Sequence, residues 1–345
     1  MNRKVLIPSD DPFFLPGMKL AYEELGFDVV SGPENLWNTD AKYDIIHLMW
    51  PETYCFHSPP NAGLLKRLRA TLGIWRRKAH LVQSVNNFYP HGYIGNTAYW
   101  ELYNIFYESC HLVHHFSNSS LEQVSGEWPV VENRRQIVTH AVNYRHLVHA
   151  DSCRKKLRSD FGLDNDAFVL LCFGAIRNWS EARLLIRALS QTSIQGFRVL
   201  NAARYRRVPG SITSMAQKLS WRFWARFSTK FFFDQVIPDE DVYRFFGAAD
   251  AVVVPRIDSL SSGIPMMAMT FGRCTVAPDS QTFREYLPEE ANEFYTPGDP
   301  ESLSAAIQRL ALRPRASAEA KNFEQGSSYS WKSVITKCLH EISSR

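Results

Sequence analysis

Short apolar runs alternate along this chain with longer stretches whose apolar residues recur at helical spacing. The runs 4–8, 43–50 and 80–85 predict β-strands, and the stretch 61–77, with leucines along one stripe, predicts a helix. Strands that alternate regularly with helices are typical of α/β proteins with parallel sheets. The first half of the chain is therefore predicted to form one open α/β unit.

The same alternation resumes after a polar, charged stretch at 149–166, which we interpret as a connection between two halves. Helices are predicted near the middle of this second half and again after Pro265, a residue suited to a first helical turn. The predicted strands of the second half are 168–173, 198–202, 231–236, 251–255, 274–277 and 292–295. Two successive α/β units with a cleft between them is the simplest assembly.

Composition fits a folded cytoplasmic protein with two cores. Hydrophobic residues make up 45% and charged residues 21% of the chain, which argues against disorder. No apolar run approaches the roughly 20 residues that span a bilayer, and Asp10 interrupts the beginning before a signal-like run develops. The six cysteines are scattered without metal-ligand spacing, as expected in a reducing compartment.

The net charge of +4 hides two strongly basic regions. Residues 53–100 contain no acidic residue but include Lys66, Arg67, Arg69, Arg76, Arg77 and Lys78. Residues 198–230 hold eight basic residues and no acidic one. Such concentrations of one charge point to anionic partners, including phosphate groups and acidic lipid.

Each basic region also contains apolar residues that need a place in the fold. The helix predicted at 61–77 either lies in a lipid headgroup layer or packs its leucines on a sheet with its cations in water. The segment 221–227 interleaves two tryptophans and two phenylalanines with arginines. It packs as core, guards a binding site or touches a membrane, and the sequence leaves these alternatives open.

A first candidate site follows the apolar run 168–173. Ligands of open parallel sheets bind at the carboxyl ends of strands, so residues after such a run are the place to look. Gly174 permits close approach of a ligand to the backbone, and Arg177 is able to grip a diphosphate with two parallel hydrogen bonds. An ordinary surface arginine is the alternative interpretation.

A second candidate site follows the run 251–255. Asp258, Ser261, Ser262 and Gly263 come just before a predicted helix. Backbone N–H groups and the helix dipole at such a point attract phosphate. An N-cap without a ligand is the alternative role for these serines.

The first half contributes polar residues after its own strands. Glu52 and His91 are candidates for acid–base chemistry near a sugar hydroxyl, whereas His47, inside a strand, is expected to be structural. The candidate acceptor-binding residues are Trp50, Asn86 and Asn87.

Several segments of the sequence resemble the glycosyltransferases of the GT-B fold that include the large family 4. Segments 239–255 and 262–278 resemble an "aaD-vvv-P" strand and the helix–turn after it, 137–143 the last strand of the first domain, and 296–300 the "pgD" turn. The Ser-Gly form of the donor loop, together with 43–52, is similar to bacterial exopolysaccharide transferases of the xanthan-type β-mannosyltransferase kind.

The resemblance implies an α/β protein of GT-B fold, with two Rossmann-like domains whose parallel sheets face each other across a cleft. The expected organisation is an acceptor-binding domain at 1–148, a linker at 149–166, a nucleotide-sugar-binding domain at 167–326 and a C-terminal helix at 327–345 that packs back on the first domain.

It also assigns roles to the candidate residues. Arg177 would hold the donor diphosphate, while Ser262 and Gly263 would meet the phosphates at the helix start. Glu52 and His91 would face the acceptor, either of them serving as base if the reaction inverts configuration. The donor-binding set is completed by Gly174, Asp258, Ser261, Arg183 and Arg204.

Three positions depart from the family pattern. Ser180 stands where a lysine is expected three residues after the arginine, and Arg183 and Arg204 are the candidates to replace its charge. The glutamate that grips the donor ribose falls on Met266 or Met267. Asn86 stands where relatives carry a histidine, and retaining or inverting chemistry stays open.

The expected activity is metal-independent transfer of a hexose-type sugar from a UDP- or GDP-linked donor, with no cofactor. The acceptor is expected to be a saccharide or lipid-linked saccharide of bacterial surface or exopolysaccharide synthesis, and the protein cytoplasmic and peripheral on the inner membrane face. An anionic membrane surface is an expected partner, and nucleic acid is not. The alternatives are a catalytically impaired sugar-nucleotide-binding partner subunit, an RNA-binding protein and a sugar-nucleotide epimerase.

Overall fold

A computed structural model describes residues 3–55, 58–90, 93–140, 142–149, 153–206, 211–229, 231–233, 235–256 and 262–344. The chain forms two compact units, one of residues 1–142 with 329–345 and the other of residues 143–328. His91, Asp258 and Ser261 lie outside the described residues.

The first unit is built on a parallel six-stranded sheet in the order β2-β1-β3-β4-β5-β6. Its strands are β1 (Arg3–Ile7), β2 (Phe27–Ser31), β3 (Ile45–Leu48), β4 (His80–Val85), β5 (Leu112–His115) and β6 (Arg135–Val138). The helices between them are α1 (Leu15–Glu24), α2 (Ala62–Lys78), α3 (Thr97–Ser109) and α4 (Asn118–Glu127).

Alternate residues of each strand feed two apolar layers, as the two-residue period of a strand requires. On one face, Ile46 of β3 belongs to the cluster that includes Leu68 and Leu72 of α2. On the other face, Ile45 belongs to the cluster that includes Trp331 of the C-terminal helix, which contacts α1 and β5. The leucines of α2 therefore pack on the sheet.

The second unit repeats the design with the order β12-β11-β10-β7-β8-β9. All its paired strands are parallel. Its strands are β7 (Phe168–Ile176), β8 (Phe197–Tyr205), β9 (Phe231–Phe232), β10 (Ala251–Val253), β11 (Cys274–Pro278) and β12 (Glu293–Tyr295). Its helices are α5 (Arg154–Asp160), α6 (Trp179–Gln191), α7 (Ile212–Ser228), α8 (Asp239–Ala248), α9 (Gly263–Thr270), α10 (Gln281–Arg284), α11 (Pro300–Ala311) and α12 (Arg315–Ser328), and the C-terminal helix of the first unit is α13 (Trp331–Ser343).

The predicted α/β class with parallel sheets is confirmed. Two helices carry no strong pattern in the sequence: α12, and α5 within the stretch 149–166 that we interpret as a connection. The basic aromatic segment 221–227 is the second half of helix α7.

A buried ion pair fixes α5 to the sheet of the second unit. The Arg158 guanidinium donates to Asp250 Oδ2 over 2.6 Å, and the same oxygen accepts a hydrogen bond from the N–H of Val169 over 2.7 Å. Asp250 is the acidic residue of the "aaD" pattern. Because it immediately precedes β10, it lies at the amino end of that strand and serves the fold.

Candidate functional site

The strand order of the second unit changes direction between β7 and β10. From β7 the chain moves outward through β8 and β9, then crosses to build β10, β11 and β12 on the other side. Open α/β sheets bind ligands at such a switch point, outside the carboxyl ends of the strands. Arg177 follows β7 directly, and Arg256 leaves the end of β10 toward α9.

Gly174 brings β7 close to the beginning of α9. Its φ of +85° lies in the region that favours glycine, and a Cβ there would lie 3.2 Å from Ile264 Cδ1. The strand continues past Gly174 to Ile176, which pairs with Tyr205 of β8. The predicted strand 168–173 ends too early, because a glycine after an apolar run is also typical of a turn.

Arg177 is positioned through its backbone by a buried carboxylate. Its N–H donates to Glu181 Oε2 over 2.7 Å, and the N–H of Glu181 donates to Asn178 Oδ1, the N-cap of α6, over 3.0 Å. This reciprocal arrangement satisfies the exposed donors at the start of a helix. The turn that presents Arg177 is thereby held by side-chain contacts.

Arg256 ties that turn to the end of β10. Its guanidinium donates to Glu181 Oε2 over 2.7 Å and to the carbonyl oxygen of Ala175 over 2.9 Å. Its own carbonyl oxygen accepts a hydrogen bond from the Tyr295 hydroxyl over 3.2 Å. Burial, followed by the charge of Glu181, raises the pKa of Tyr295. The carboxyl ends of β7, β10 and β12 are therefore linked through one buried residue, by its guanidinium to β7 and by its backbone carbonyl to β12.

Helix α9 begins beside these strands. Ser262 occupies the N-cap with extended backbone, and its side chain makes no capping hydrogen bond. A Cβ at Gly263 would lie 2.7 Å from the Tyr144 hydroxyl oxygen, so the first turn has no room for a larger residue. Met266 and Met267, where the family pattern has a ribose-binding glutamate, are buried.

The two arginines considered as substitutes for the missing lysine occupy different surroundings. Arg204 is exposed on β8 and pairs in register with Ala175, so it lies one strand from the Arg177 turn at the same edge. Arg183 is exposed on α6. Burial raises the pKa of Tyr205, the residue after Arg204 on β8, and the charge of Glu181 adds to the effect.

The first unit has its own switch point between β1 and β3, and the candidate acceptor residues follow β3 and β4. Glu52 lies in a short 3₁₀ helix (Pro51–Cys55) and is buried. Its Oε1 accepts from Asn87 Nδ2 and its Oε2 from the Tyr103 hydroxyl, both over 2.7 Å. Burial, followed by the charge of Glu52, raises the pKa of Tyr103.

The remaining acceptor candidates have mainly structural surroundings. Trp50 packs edge-on against Phe14, with ring centroids 5.4 Å apart, and Asn86 is buried. His47 belongs to a buried chain of hydrogen bonds from Tyr22 on α1, through Ser84 and His114, to Thr139. Burial lowers the pKa of His47 to about 3, so this ring is neutral at physiological pH.

Three residues of these arrangements are not predicted from the sequence: Glu181, Arg256 and Tyr103. Glu181 occupies the first turn of α6, four residues after Arg177, a position that carries a weak capping signal. Arg256 follows the apolar run 251–255 directly, and a cation there signals either a ligand or an ion pair. Tyr103 lies within a helix rich in aromatic residues, where nothing distinguishes it from core.

Among the described residues, no group of three or more His, Cys, Asp and Glu side chains is placed to hold a metal ion. None of the helices that the structure describes combines the length and apolar character needed to cross a bilayer.

Residues 167–312 match the family model of glycosyl transferases group 1. No curated protein matches the sequence significantly.

Several solved structures share the fold over nearly the whole chain. HepE from Anabaena, in complex with UDP and glucose, is 15% identical with a TM-score of 0.73, and the match covers 100% of both chains. Sucrose-phosphate synthase from Thermosynechococcus elongatus is 14% identical with a TM-score of 0.74 over 99% of this chain and 98% of its own. The catalytic domain of starch synthase IV from Arabidopsis thaliana, bound to ADP and acarbose, is 10% identical with a TM-score of 0.71 over 98% of each chain.

These likenesses confirm the GT-B architecture expected from the sequence. Residues 167–312, which hold the Arg177 turn and the start of α9, thus match the glycosyl transferases group 1 model within a chain of GT-B fold.

Proposed function

We propose that the chain is a glycosyltransferase that moves a hexose-type sugar from a nucleotide-diphosphate sugar to a saccharide or lipid-linked saccharide acceptor. The single observation that carries the proposal is the arrangement at the β7–β10 switch point. There a held arginine turn adjoins the start of α9. The group 1 match over 167–312 and the UDP complex of HepE support a nucleotide-sugar donor.

The chemistry asks two things of this site. Transfer at an anomeric carbon passes through a state with oxocarbenium character, so the departing diphosphate must be neutralised as the bond breaks. Arg177 supplies a cation and the first turn of α9 supplies N–H donors and the positive end of a helix dipole. Arg204 adds charge from the neighbouring strand. With these groups the proposed reaction needs neither metal nor cofactor.

On the acceptor side, Glu52 is our candidate for the base of an inverting reaction. Its two oxygens are oriented by Asn87 and Tyr103, which leaves a carboxylate with fixed lone pairs. His91, the other candidate base predicted from the sequence, is kept as a proposal. The xanthan-type subclass, a role in bacterial surface or exopolysaccharide synthesis and a cytoplasmic site at the inner membrane face are part of the same proposal.

A second candidate function, a sugar-nucleotide-binding partner subunit without transfer activity, draws on three positions. Ser180 provides no cation, and the buried Met266 and Met267 provide no carboxylate for a ribose. Such a protein would bind the donor as proposed but release no nucleoside diphosphate.

Thermal stabilisation by UDP- and GDP-sugars tests the donor half of the proposal. We expect at least one donor to raise the melting temperature, Arg177→Ala to abolish the shift, and Arg187→Ala to retain it. Arg187 is the matched control because it is an exposed arginine on the same helix as Glu181. An unchanged shift in Arg177→Ala would remove Arg177 from the site, and absence of any shift in the wild type would contradict the proposal.

Release of nucleoside diphosphate separates the enzyme from the binding subunit. The stabilising donor is incubated with a polyprenyl-diphosphate-linked disaccharide or a free disaccharide. Release that depends on one of these acceptors supports sugar transfer, release without either indicates hydrolysis or epimerase-like chemistry, and stabilisation without release supports the partner-subunit alternative.

A further inference from the structure

Helix α7 turns an apolar stripe toward solvent. Of the eleven large hydrophobic side chains that are exposed in the described part of the chain, five lie on this one helix. Phe223 is 68% exposed and Phe227 71%. The five side chains are Ile212, Met215, Leu219, Phe223 and Phe227.

The spacing of these residues gathers them on one face. Positions three, four, seven and eight residues apart share a side of an α-helix, so residues 212, 215, 219, 223 and 227 form a continuous stripe. The rings of Phe223 and Phe227 are in contact, with centroids 4.7 Å apart. A contiguous exposed apolar surface of this kind marks a site of association.

The opposite face of α7 anchors the helix to the sheet. Trp221 and Ala225 are buried, and the Trp221 indole N–H donates to the carbonyl oxygen of Ala203 on β8 over 3.2 Å. The Tyr205 hydroxyl donates to Gln217 Oε1 over 2.7 Å. The apolar stripe is therefore presented outward by a helix that is fixed through its other side.

Cations border one side of the stripe over the later part of the helix. Lys218, Arg222 and Arg226 follow one another at intervals of four residues, and both arginines are exposed. The sequence has no acidic residue between Glu181 and Asp234. Helix α7 therefore carries positive charge without any carboxylate of its own, and the natural counterpart of such a surface is a negatively charged one.

We propose that α7 is a membrane-docking helix that lies in the headgroup layer of a bilayer containing anionic lipid. An interfacial helix combines an apolar face, which enters the acyl boundary, with lysines and arginines that reach the lipid phosphates. The phenylalanines supply the first property and the cations at 218, 222 and 226 the second. Charge complementarity favours a lipid surface over a second copy of this chain, because two copies of α7 would bring like charges together.

The arginines of the other basic helix, α2, make contacts within their own unit. Arg69 pairs with Glu101 and Glu108, and the Arg67 guanidinium stacks on the Trp37 ring at 4.0 Å from its centroid. Arg76 donates to backbone carbonyl oxygens at the end of α3, among them that of Ser109 over 2.7 Å. Because its leucines also pack on the sheet, α2 is poorly suited to bind a bilayer. We therefore assign docking to α7.

Docking through α7 would bring the carboxyl edge of the second sheet near the membrane. The helix follows β8, whose end carries the exposed Arg204 and Arg206. A lipid-linked acceptor is then met at the surface where it resides, a consequence that rests on the proposed function. Vesicle binding itself needs neither donor nor acceptor, so the two proposals are able to fail separately.

The test is sedimentation of the full chain with vesicles of phosphatidylcholine alone or with 30% phosphatidylglycerol. We expect binding to the anionic vesicles that weakens as salt rises. Lys218→Gln/Arg222→Gln/Arg226→Gln should lower the partition coefficient at least tenfold, since each basic residue near the surface contributes about fivefold. Leu219→Ser/Phe223→Ser/Phe227→Ser should also lower it at least tenfold, because this variant lacks the apolar side chains that enter the acyl boundary.

The matched control for the charge variant is Lys42→Gln/Lys66→Gln/Arg77→Gln, which removes three exposed cations of the first unit. Leu312→Ser, at another exposed leucine, controls for the apolar changes. Both controls should bind like the wild type, and circular dichroism with the melting temperature verifies that each variant is folded. Equal binding to both vesicle types, or undiminished binding of the α7 variants, would overturn the proposal. Self-association lost in the serine variant, or RNA retention, without vesicle binding would overturn it as well.

Discussion

Arg256 and Glu181 form a buried ion pair at the carboxyl ends of β10 and β7, with Nη1 and Oε2 2.7 Å apart. Their side chains are 5% and 3% exposed. Because Glu181 also accepts the N–H of Arg177, the pair fixes the arginine turn and the exit of β10 with respect to each other. In the proposed reaction Arg256 would act on the donor through this geometry, as a positioning residue.

Breaking the pair from either side should be costly. We expect Glu181→Gln and Arg256→Met each to lower the free energy of unfolding of the second unit by about 3–5 kcal/mol, because each strands a buried charge. The double variant should cost less than the sum of the two. Urea unfolding of the four proteins gives the coupling free energy directly. Strict additivity would show that the pair contributes no mutual stabilisation.

Gly174 should resist even a methyl group. Gly174→Ala combines an unfavourable φ with a Cβ 3.2 Å from Ile264 Cδ1, so we expect a loss of more than about 1–2 kcal/mol, the cost of the conformation alone, and a reduced donor-induced thermal shift. Gly298→Ala is the matched control, since its φ is +80° and nothing lies within 4 Å of the added Cβ. Addition of Ile264→Val should restore part of the loss. Equal effects at both glycines would argue against a close approach of β7 to α9.

Glu52→Gln separates catalysis from donor binding. If Glu52 is the base of an inverting reaction, loss of its charge should lower turnover by roughly 10²–10⁴-fold and leave the donor-induced thermal shift unchanged. Tyr103→Phe removes one hydrogen bond but keeps the carboxylate, and it should have a much smaller effect on turnover. Turnover that survives in Glu52→Gln would assign this carboxylate to the fold.

The buried histidines make the first unit sensitive to acid. Burial lowers the pKa of His47 to about 3 and of His115 to about 4, and that of His114 well below its ordinary value. The unfolded chain takes up these protons near pH 6.5, so the stabilisation is fully present above that pH and is lost as pH falls toward the folded values. Each group contributes a slope of about 1.4 kcal/mol per pH unit in that interval.

Urea midpoints between pH 7.5 and 4.5 measure this slope. His47→Gln should lower this slope by about 1.4 kcal/mol per pH unit, the contribution of one proton. His340→Gln, at an exposed ring, should leave the slope unchanged. A midpoint that stays constant down to pH 4.5 would show that these rings are not held neutral by the fold.

What the sequence predicts well here is whatever rests on periodicity. Runs such as 168–173 are apolar because both faces of a parallel sheet are buried, and their positions follow from that. The second half of α7 is harder, because its exposed apolar stripe obscures the helical spacing of its buried face. Helix α5 is missed because its anchor, the pair of Arg158 and Asp250, joins residues 92 positions apart.

The candidate site divides in the same way. Arg177 and Gly263 are predicted as site residues because chemistry after a strand is local in sequence. Arg256 is missed because its role depends on Glu181, which lies 75 positions earlier in the chain. The role of a cation after an apolar run is assignable only when its counter-charge is known. The sequence pattern does not identify that partner.

The lysine that the family pattern expects three residues after the arginine gives a test by addition. Ser180 is exposed in the first turn of α6, beside the Arg177 turn. Ser180→Lys places a cation where a donor diphosphate would lie, so we expect donor affinity to rise several-fold at low ionic strength and the gain to shrink as salt screens it. Ser190→Lys adds the same charge at the far end of the same helix and should change affinity little. Isothermal titration with the stabilising donor compares the two. Equal gains would reduce the effect to net charge, and no gain at Ser180 would mean that the diphosphate lies elsewhere on this edge.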